Sequence, residues 1–351
     1  MNPTVALLLA QDGIATGAIY ALLAMALVLV FAVTKIPFIP IGEFVVYTAL
    51  TLVVIQANQV PRTVWLLIAA GCIAFITDIV AFVRERDRAA SGGIAPLWLS
   101  AAQNLLLPAV IAAIVTMLSQ QPRIMPVDML MAVLIVVPLA PIIYRLAYQP
   151  LVSANPLVLF MVSIAVHFVM VGLGLNLFGP DGDRAEPYAD WQLELSGQIV
   201  RGQVVMVLVA AVVLMVILYL FFARTVPGKA LRAVAVNRIG AQLVGIGTAT
   251  SGKLAITLAC LIAALCGLLI SPGVTLNYLS GELIGLKGFV AAVLGGFVSY
   301  PLAVAGAFVV GLLESYTSFW ASALKEVIVF SMIIPILLLR TFASRSDMGE
   351  H

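Results

Sequence analysis

Apolar runs long enough to cross a bilayer recur along this chain, with only short polar breaks between them. Ile14–Val33, Trp65–Val83, Pro156–Phe178, Gln203–Ala223 and Lys253–Ile270 are the clearest. A spanning helix takes roughly 20 apolar residues. Lipid offers no partner for backbone N–H and C=O groups, so a span must satisfy them internally, as a helix does. That feature commits the chain to an all-α, polytopic transmembrane bundle. Only 10% of the 351 residues are charged, where soluble domains carry about a quarter. The whole of 1–351 is therefore read as one membrane domain.

Other segments are shorter or interrupted. Pro37 and Pro40 break the chain after the first span, and Glu43 then opens the short run Glu43–Ile55. Proline lacks an N–H and fixes φ, so helix cannot continue through it. Trp98–Leu118, Asp128–Tyr144, Leu302–Ser318 and Val327–Leu339 are further spans, and Gly288–Phe297 is another short piece. Short apolar pieces beside Gly/Pro breaks are the pattern of discontinuous helices that line a polar cavity. By length we expect about ten membrane segments, broken helices included.

Loop charges set the orientation, because Lys and Arg are retained on the cytoplasmic side. Alternation from a periplasmic N-terminus places Lys35, Arg84, Arg86, Arg88, Arg145, Arg224, Lys229, Arg232, Arg238, Lys253, Arg340 and Arg345 inside. Arg62, Arg123, Arg184, Arg201, Lys287 and Lys325 fall outside, the smaller share of the 18. The acidic loop Gly179–Gly202, with Tyr188 and Trp191, then lies outside, either as a solvated loop or as a landing surface for a soluble partner. The C-terminus lies inside. With no basic stretch before its first apolar run, the N-terminus reads as a retained anchor.

Catalytic material is sparse. His167 and His351 are the histidines, and Cys72, Cys260 and Cys266 all sit in apolar runs, so no metal cluster and no disulfide framework emerges. There is no GxxxxGK[ST] loop to cradle phosphate. A lone histidine without an acidic neighbour in sequence is poor material for a triad.

Four intramembrane polar residues stand out. An acid at this depth is costly and faces the bundle interior or a water-filled cavity. Glu314 is thus either a pathway group or a buried structural hydrogen bond. Glu43 either caps a helix start, where the dipole favours a carboxylate, or lines a cavity. Lys287 pairs with an acid in the bundle or snorkels to the interface. His167 is an interior hydrogen-bonding residue or a pathway group. Small residues recur every four positions at Gly13, Gly17 and Ala21, at Gly288, Ala292 and Gly296, and at Ala303, Ala307 and Gly311. Such stripes let helix backbones approach closely in lipid.

The stretch 224–247 is long for a connection between spans. It carries Arg224, Lys229, Arg232 and Arg238 with no acid, interleaved with small residues. It has room for two short helical pieces, and it is either a plain positive-inside loop or a docking surface.

Four stretches together resemble the permease subunit of bacterial ABC importers for branched-chain amino acids, the LivH/LivM type, and nearer to LivH. They are Gly13-Ile-Ala-Thr-Gly-Ala-Ile-Tyr20, Arg145-Leu-Ala-Tyr-Gln-Pro150, Gly228 through Ile246, and Gly285-Leu-Lys-Gly-Phe-Val-Ala-Ala-Val-Leu-Gly-Gly296 with Gly311-Leu-Leu-Glu314. The resemblance implies a multi-pass subunit of the bacterial inner membrane that is not itself an enzyme. It implies a second permease subunit, two cytoplasmic ATPase subunits that use the ATP, and a periplasmic binding protein, with no nucleic-acid partner. The same resemblance makes 224–247 the cytoplasmic coupling segment, with Gly228, Lys229, Arg232, Ala233, Asn237, Ala241, Gly245 and Ile246 at the contact. Two departures stand out. Residues 62–127 read as an insertion of two extra spans. Many relatives read Asn-Phe-Ala-His-Gly-Glu where this chain ends in Ile41-Gly42-Glu43, which leaves urea, short amides and small carboxylic acids open as substrates. An ion-coupled secondary transporter is the remaining competitor.

Overall fold

The computed structural model describes residues 3–86, 101–119, 121, 123–152, 154–189, 191–195, 198–297, 299–335 and 338. The side chains of Arg84–Arg88, the start of the expected span Trp98–Leu118 and the tail Arg340–His351 lie outside the described residues.

Helix α1 (Pro3–Thr34) is apolar nearly all round because it runs through the middle of the protein. Its central window is 83% buried, the highest share among the long helices. Next come α2 (Ile41–Gln56), α3 (Thr63–Arg86) and a π-helical turn, Ala102–Leu106, leading into α4 (Leu107–Leu118). Then α5 (Met125–Val136) breaks at Pro138 before α6 (Leu139–Ile143), and α7 (Pro156–Phe178) crosses. The acidic loop that follows contains an antiparallel hairpin, β1 (Gln192–Leu195) with β2 (Gln198–Arg201), pairing Gln192 with Arg201. After it come α8 (Gly202–Arg224), α9 (Val226–Val236), α10 (Arg238–Leu243), α11 (Thr248–Ile270), α12 (Ser280–Leu294), α13 (Tyr300–Trp320) and α14 (Lys325–Ser331). Among the described residues, seven helices are long and apolar enough to cross a membrane, and α2 and the 102–118 stretch are shorter apolar pieces.

α1 packs most extensively on α13 and then on α11, while α2 fits between α11 and α12. The small-residue stripes carry the first contact. A Cβ at Gly13 would lie 2.9 Å from the Leu312 backbone, and one at Gly311 would lie 2.5 Å from backbone atoms of Gly13 and Gly17. Ala303 and Ala307 are fully buried on the same helix. Gly288 sits against Leu23 of α1, and Ala292 is buried one turn on. Gly296 lies past the end of α12, in a turn with φ of 62°.

Three elements differ from the sequence expectation. The expected span Val327–Leu339 is described only in part, its helix α14 covering Lys325–Ser331, with 336, 337 and 339 outside the described residues. α12 starts at Ser280, eight residues before the expected Gly288. Its first turns are polar, and a local network sustains them. Asn277 accepts from Leu279 N and from the Ser280 hydroxyl, which itself accepts from Asn277 N. The hairpin was hidden in a loop judged by its acids. Its signal is the short alternation in Gln-Leu-Glu-Leu and Gln-Ile-Val-Arg.

Candidate functional site

Thr225 caps α9 by accepting from Gly228 N at 3.1 Å, and Asn237 caps α10 by accepting from Gly240 N at 2.9 Å. Gly228 is obligatory at the α8–α9 corner, where a Cβ would fall 2.3 Å from the Phe221 carbonyl oxygen. Leu231, Val234 and Ala241 point back into the protein and pack with Leu29, Val33 and Ala255. This small core anchors the pair of helices rigidly to the end of α1. Gly245 turns the chain at φ 86° and Ile246 returns to the anchoring cluster.

The opposite face is open. Val236, Ile239, Leu243 and Val244 are each more than 70% exposed. Lys229 and Asn237 are exposed beside them and Ala233 is half-buried. Arg232 is exposed at the edge of a 550 Å³ apolar groove between α1, α8 and α13. A basic surface with an exposed apolar row is built to be covered by a partner. Of the residues the sequence singled out, Gly228, Ala241 and Ile246 hold the segment in place, whereas Lys229, Arg232 and Asn237 are presented outward. The apolar row was not singled out; its signal is the excess of Val, Ile and Leu in a stretch between the long apolar runs.

A second centre lies inside the bundle. Glu43 is buried, with its Oε1 3.2 Å from His167 Nδ1. The approach is out of line for a hydrogen bond, and neither carboxylate oxygen finds another donor among the described residues. His167 is the middle residue of α7, so the pair sits at mid-height of that span. Two half-helices begin there. At 1.5 Å per residue the 16 residues of α2 rise about 24 Å, short of the ~30 Å hydrocarbon thickness. α2 and α12 meet at their first turns, where Gly42 abuts Gly281 and Gly285 and the Glu43 carboxylate faces Gly281. Helix N-termini carry partial positive charge, so two of them offset the burial of this acid. Tyr47, one turn on, donates to Met170 O at 2.6 Å and fixes α2 to α7.

The third feature is an ion network. Lys287 Nζ lies 2.6 Å from Glu314 Oε1 and 3.2 Å from Glu326 Oε1, and Lys325 lies 3.6 Å from both acids. The Tyr20 hydroxyl donates to Glu314 Oε2 at 2.7 Å. Two cations and two anions neutralise one another across α12, α13 and α14, and Tyr20 ties α1 to them. Glu314 and Lys287, weighed separately in the sequence, are one unit, and Tyr20, Lys325 and Glu326 complete it.

The profile of the family described as the branched-chain amino acid transport system permease component matches residues 9–337. The chain belongs to this family. It is similar to the high-affinity branched-chain amino acid transport permease BraD of Pseudomonas aeruginosa, 28% identical over 56% of this chain and 67% of the relative. It is similar also to LivH of Escherichia coli and of Salmonella typhimurium, each 30% identical over 56% of this chain and 66% of the relative. The chain thus spans about two thirds of the length of these curated relatives. No solved structure matches.

Asp78 and Asn104, which sequence reasoning did not single out, and Arg123 and Arg145, which it read only as loop charges or motif residues, tie down the 62–127 stretch of this permease. Asp78 on α3 forms an ion pair with Arg145, in the turn after α6, and accepts from Asn104 Nδ2 at 2.9 Å. Arg123 pairs with Asp128 at 2.6 Å and donates to Ile55 O at 2.9 Å, closing the far end of α2 against α5. An acid within the apolar run around Asp78 was the available signal. In the loop, burial pushes the Tyr188 hydroxyl up to about 12, so it stays protonated and donates to Leu268 O at 2.7 Å.

Proposed function

We propose that this chain is a membrane subunit of an ATP-driven importer of branched-chain amino acids, carrying them from periplasm to cytoplasm. The observation that carries the reading is the rigidly anchored α9–α10 pair with its exposed apolar row and basic flank. It would seat in a groove on a separate ATPase subunit, and closure of two such subunits would be transmitted as a rigid-body shift. The family and the absence of a phosphate loop support this division of labour: the chain moves solute, is not an enzyme, and leaves ATP to its partners. In this assembly it pairs with a second permease subunit and receives substrate from a soluble binding protein at the acidic loop. The basic end, with α9–α10, faces the cytoplasm. The half-helices meeting at Glu43 form the gate.

The buried Glu43–His167 pair favours one competing reading, an ion-coupled transporter. Proteoliposomes holding the complete assembly separate the two. Leucine uptake that requires ATP on the α9–α10 side supports the importer, and uptake driven by a proton gradient without ATP rejects it.

A further inference from the structure

At the acidic end, α1, α8 and the end of α11 enclose an open cavity of about 470 Å³, within the size range of small-molecule sites. Its floor is apolar, with Ile19, Val207 and Leu269 all buried. Its mouth is charged and of mixed sign: Asp12 comes from α1, Arg201 from the end of β2 just before α8, and Arg184 from the acidic loop. Arg184 is held in place, its Nε donating to Pro272 O at 2.7 Å. Asp12 and Arg201 are near enough to feel each other's charge. Gln203, in the same wall, accepts from Tyr188 N, but its amide nitrogen is buried and has no acceptor among the described residues.

We propose that this cavity binds a free α-amino acid with an apolar side chain; the inference rests on the importer reading and deepens it. The chemistry is that of a zwitterion. Guanidinium groups match a carboxylate in geometry and charge, and the orphaned Gln203 N–H supplies a further donor to it. Asp12 takes the ammonium. The aliphatic side chain descends onto Ile19, Val207 and Leu269, where it leaves water. A solute charged at one end alone would leave either the acid or the guanidiniums unmatched, and unmatched polar groups are what give such sites their discrimination. The site opens at the end where the importer reading places the binding protein, so it is the first station for released substrate.

Equilibrium binding of radiolabelled leucine to the full chain in lipid nanodiscs tests this. Competitors are 4-methylpentanoate, which lacks the amine, and 3-methylbutylamine, which lacks the carboxylate. A charge-assisted hydrogen bond is worth enough that each analogue is expected to compete about tenfold more weakly than leucine, or worse. Asp12→Asn should weaken leucine about tenfold and make 4-methylpentanoate its equal, and Arg201→Gln should do the same for the amine. Both residues are exposed at the mouth, so thermal unfolding should match the parent protein. The proposal is overturned if the parent chain binds no leucine, if either analogue competes as well as leucine, or if both variants retain parental affinity. Uptake by the complete assembly is read in parallel. Import that persists with no effect of either variant sinks the subsite alone, whereas absence of ATP-driven import sinks the importer reading.

Discussion

Gly42→Ala should loosen the meeting of the two half-helices and with it the gate. A Cβ at this position would lie 1.9 Å from the Gly281 carbonyl oxygen and 2.9 Å from Gly285 N. Both obstacles are backbone, so no side chain can rotate away. To restore even a 3.0 Å contact, α2 and α12 must part by about 1.1 Å. Overpacking a filled interior costs about 1–3 kcal/mol, and a backbone clash belongs at the upper end. Gly172→Ala is the matched control. It lies within α7 with nothing within 4 Å of its would-be Cβ, and replacing a mid-helix glycine gains up to about 1 kcal/mol in propensity. Thermal unfolding in one detergent, read beside leucine uptake, compares them. Gly42→Ala should lower the midpoint and uptake together, while Gly172→Ala holds or raises the midpoint. Equal midpoints for Gly42→Ala and the parent protein would refute the close crossing and the gate geometry built on it.

Three further outcomes are expected. Lys287→Met should cost about 1–3 kcal/mol, below the 3–5 typical of a broken buried pair, because Lys325 stays close to both acids and Glu326 is a third exposed; adding Glu314→Gln should recover part of the loss in unfolding measurements. A double-mutant cycle over Asp78→Asn and Arg145→Gln should show a coupling of about 1 kcal/mol, modest because the Arg145 side chain is 32% exposed. For Tyr188 the folded-state value of about 12 lies above the ordinary 10.0, so its contribution to stability is complete below pH 10 and is lost as pH rises toward 12; Tyr188→Phe should abolish that alkaline loss in a pH series of unfolding midpoints.

Long spans such as α7 and α8 were legible because length and apolarity alone define them. The break at Pro37 and Pro40 was legible because proline forbids helix continuation. Less visible was where polar helix begins: the apolar piece expected from Gly288 is preceded by helix from Ser280, set by the Asn277 bonds to Leu279 N and the Ser280 hydroxyl and by the pairing of Lys287. Sequence marks Lys287 and Glu314 as costly groups in lipid, but their distance along the chain conceals that each neutralises the other. Glu43 follows Ile41 and Gly42 in sequence, and the imidazole beside it comes from His167 of α7. That pairing joins residues 124 apart in the chain, and no local pattern reports it. The stretch 224–247 stood out by its charges, while its apolar row emerged only when Leu231 and Val234 turned inward and left Ile239 and Leu243 outside.

The central claim is that α9–α10 couples this permease to an external ATPase, and Leu243→Glu combined with Ile239→Glu tests it most directly. Both side chains are exposed and outside the anchoring cluster, so the fold should survive. Co-purification of the ATPase subunits with the tagged permease is the measurement. The account predicts that the double variant keeps its parental unfolding midpoint but loses the ATPase subunits, and with them ATP-dependent leucine uptake. Retention of both at parental levels would contradict it.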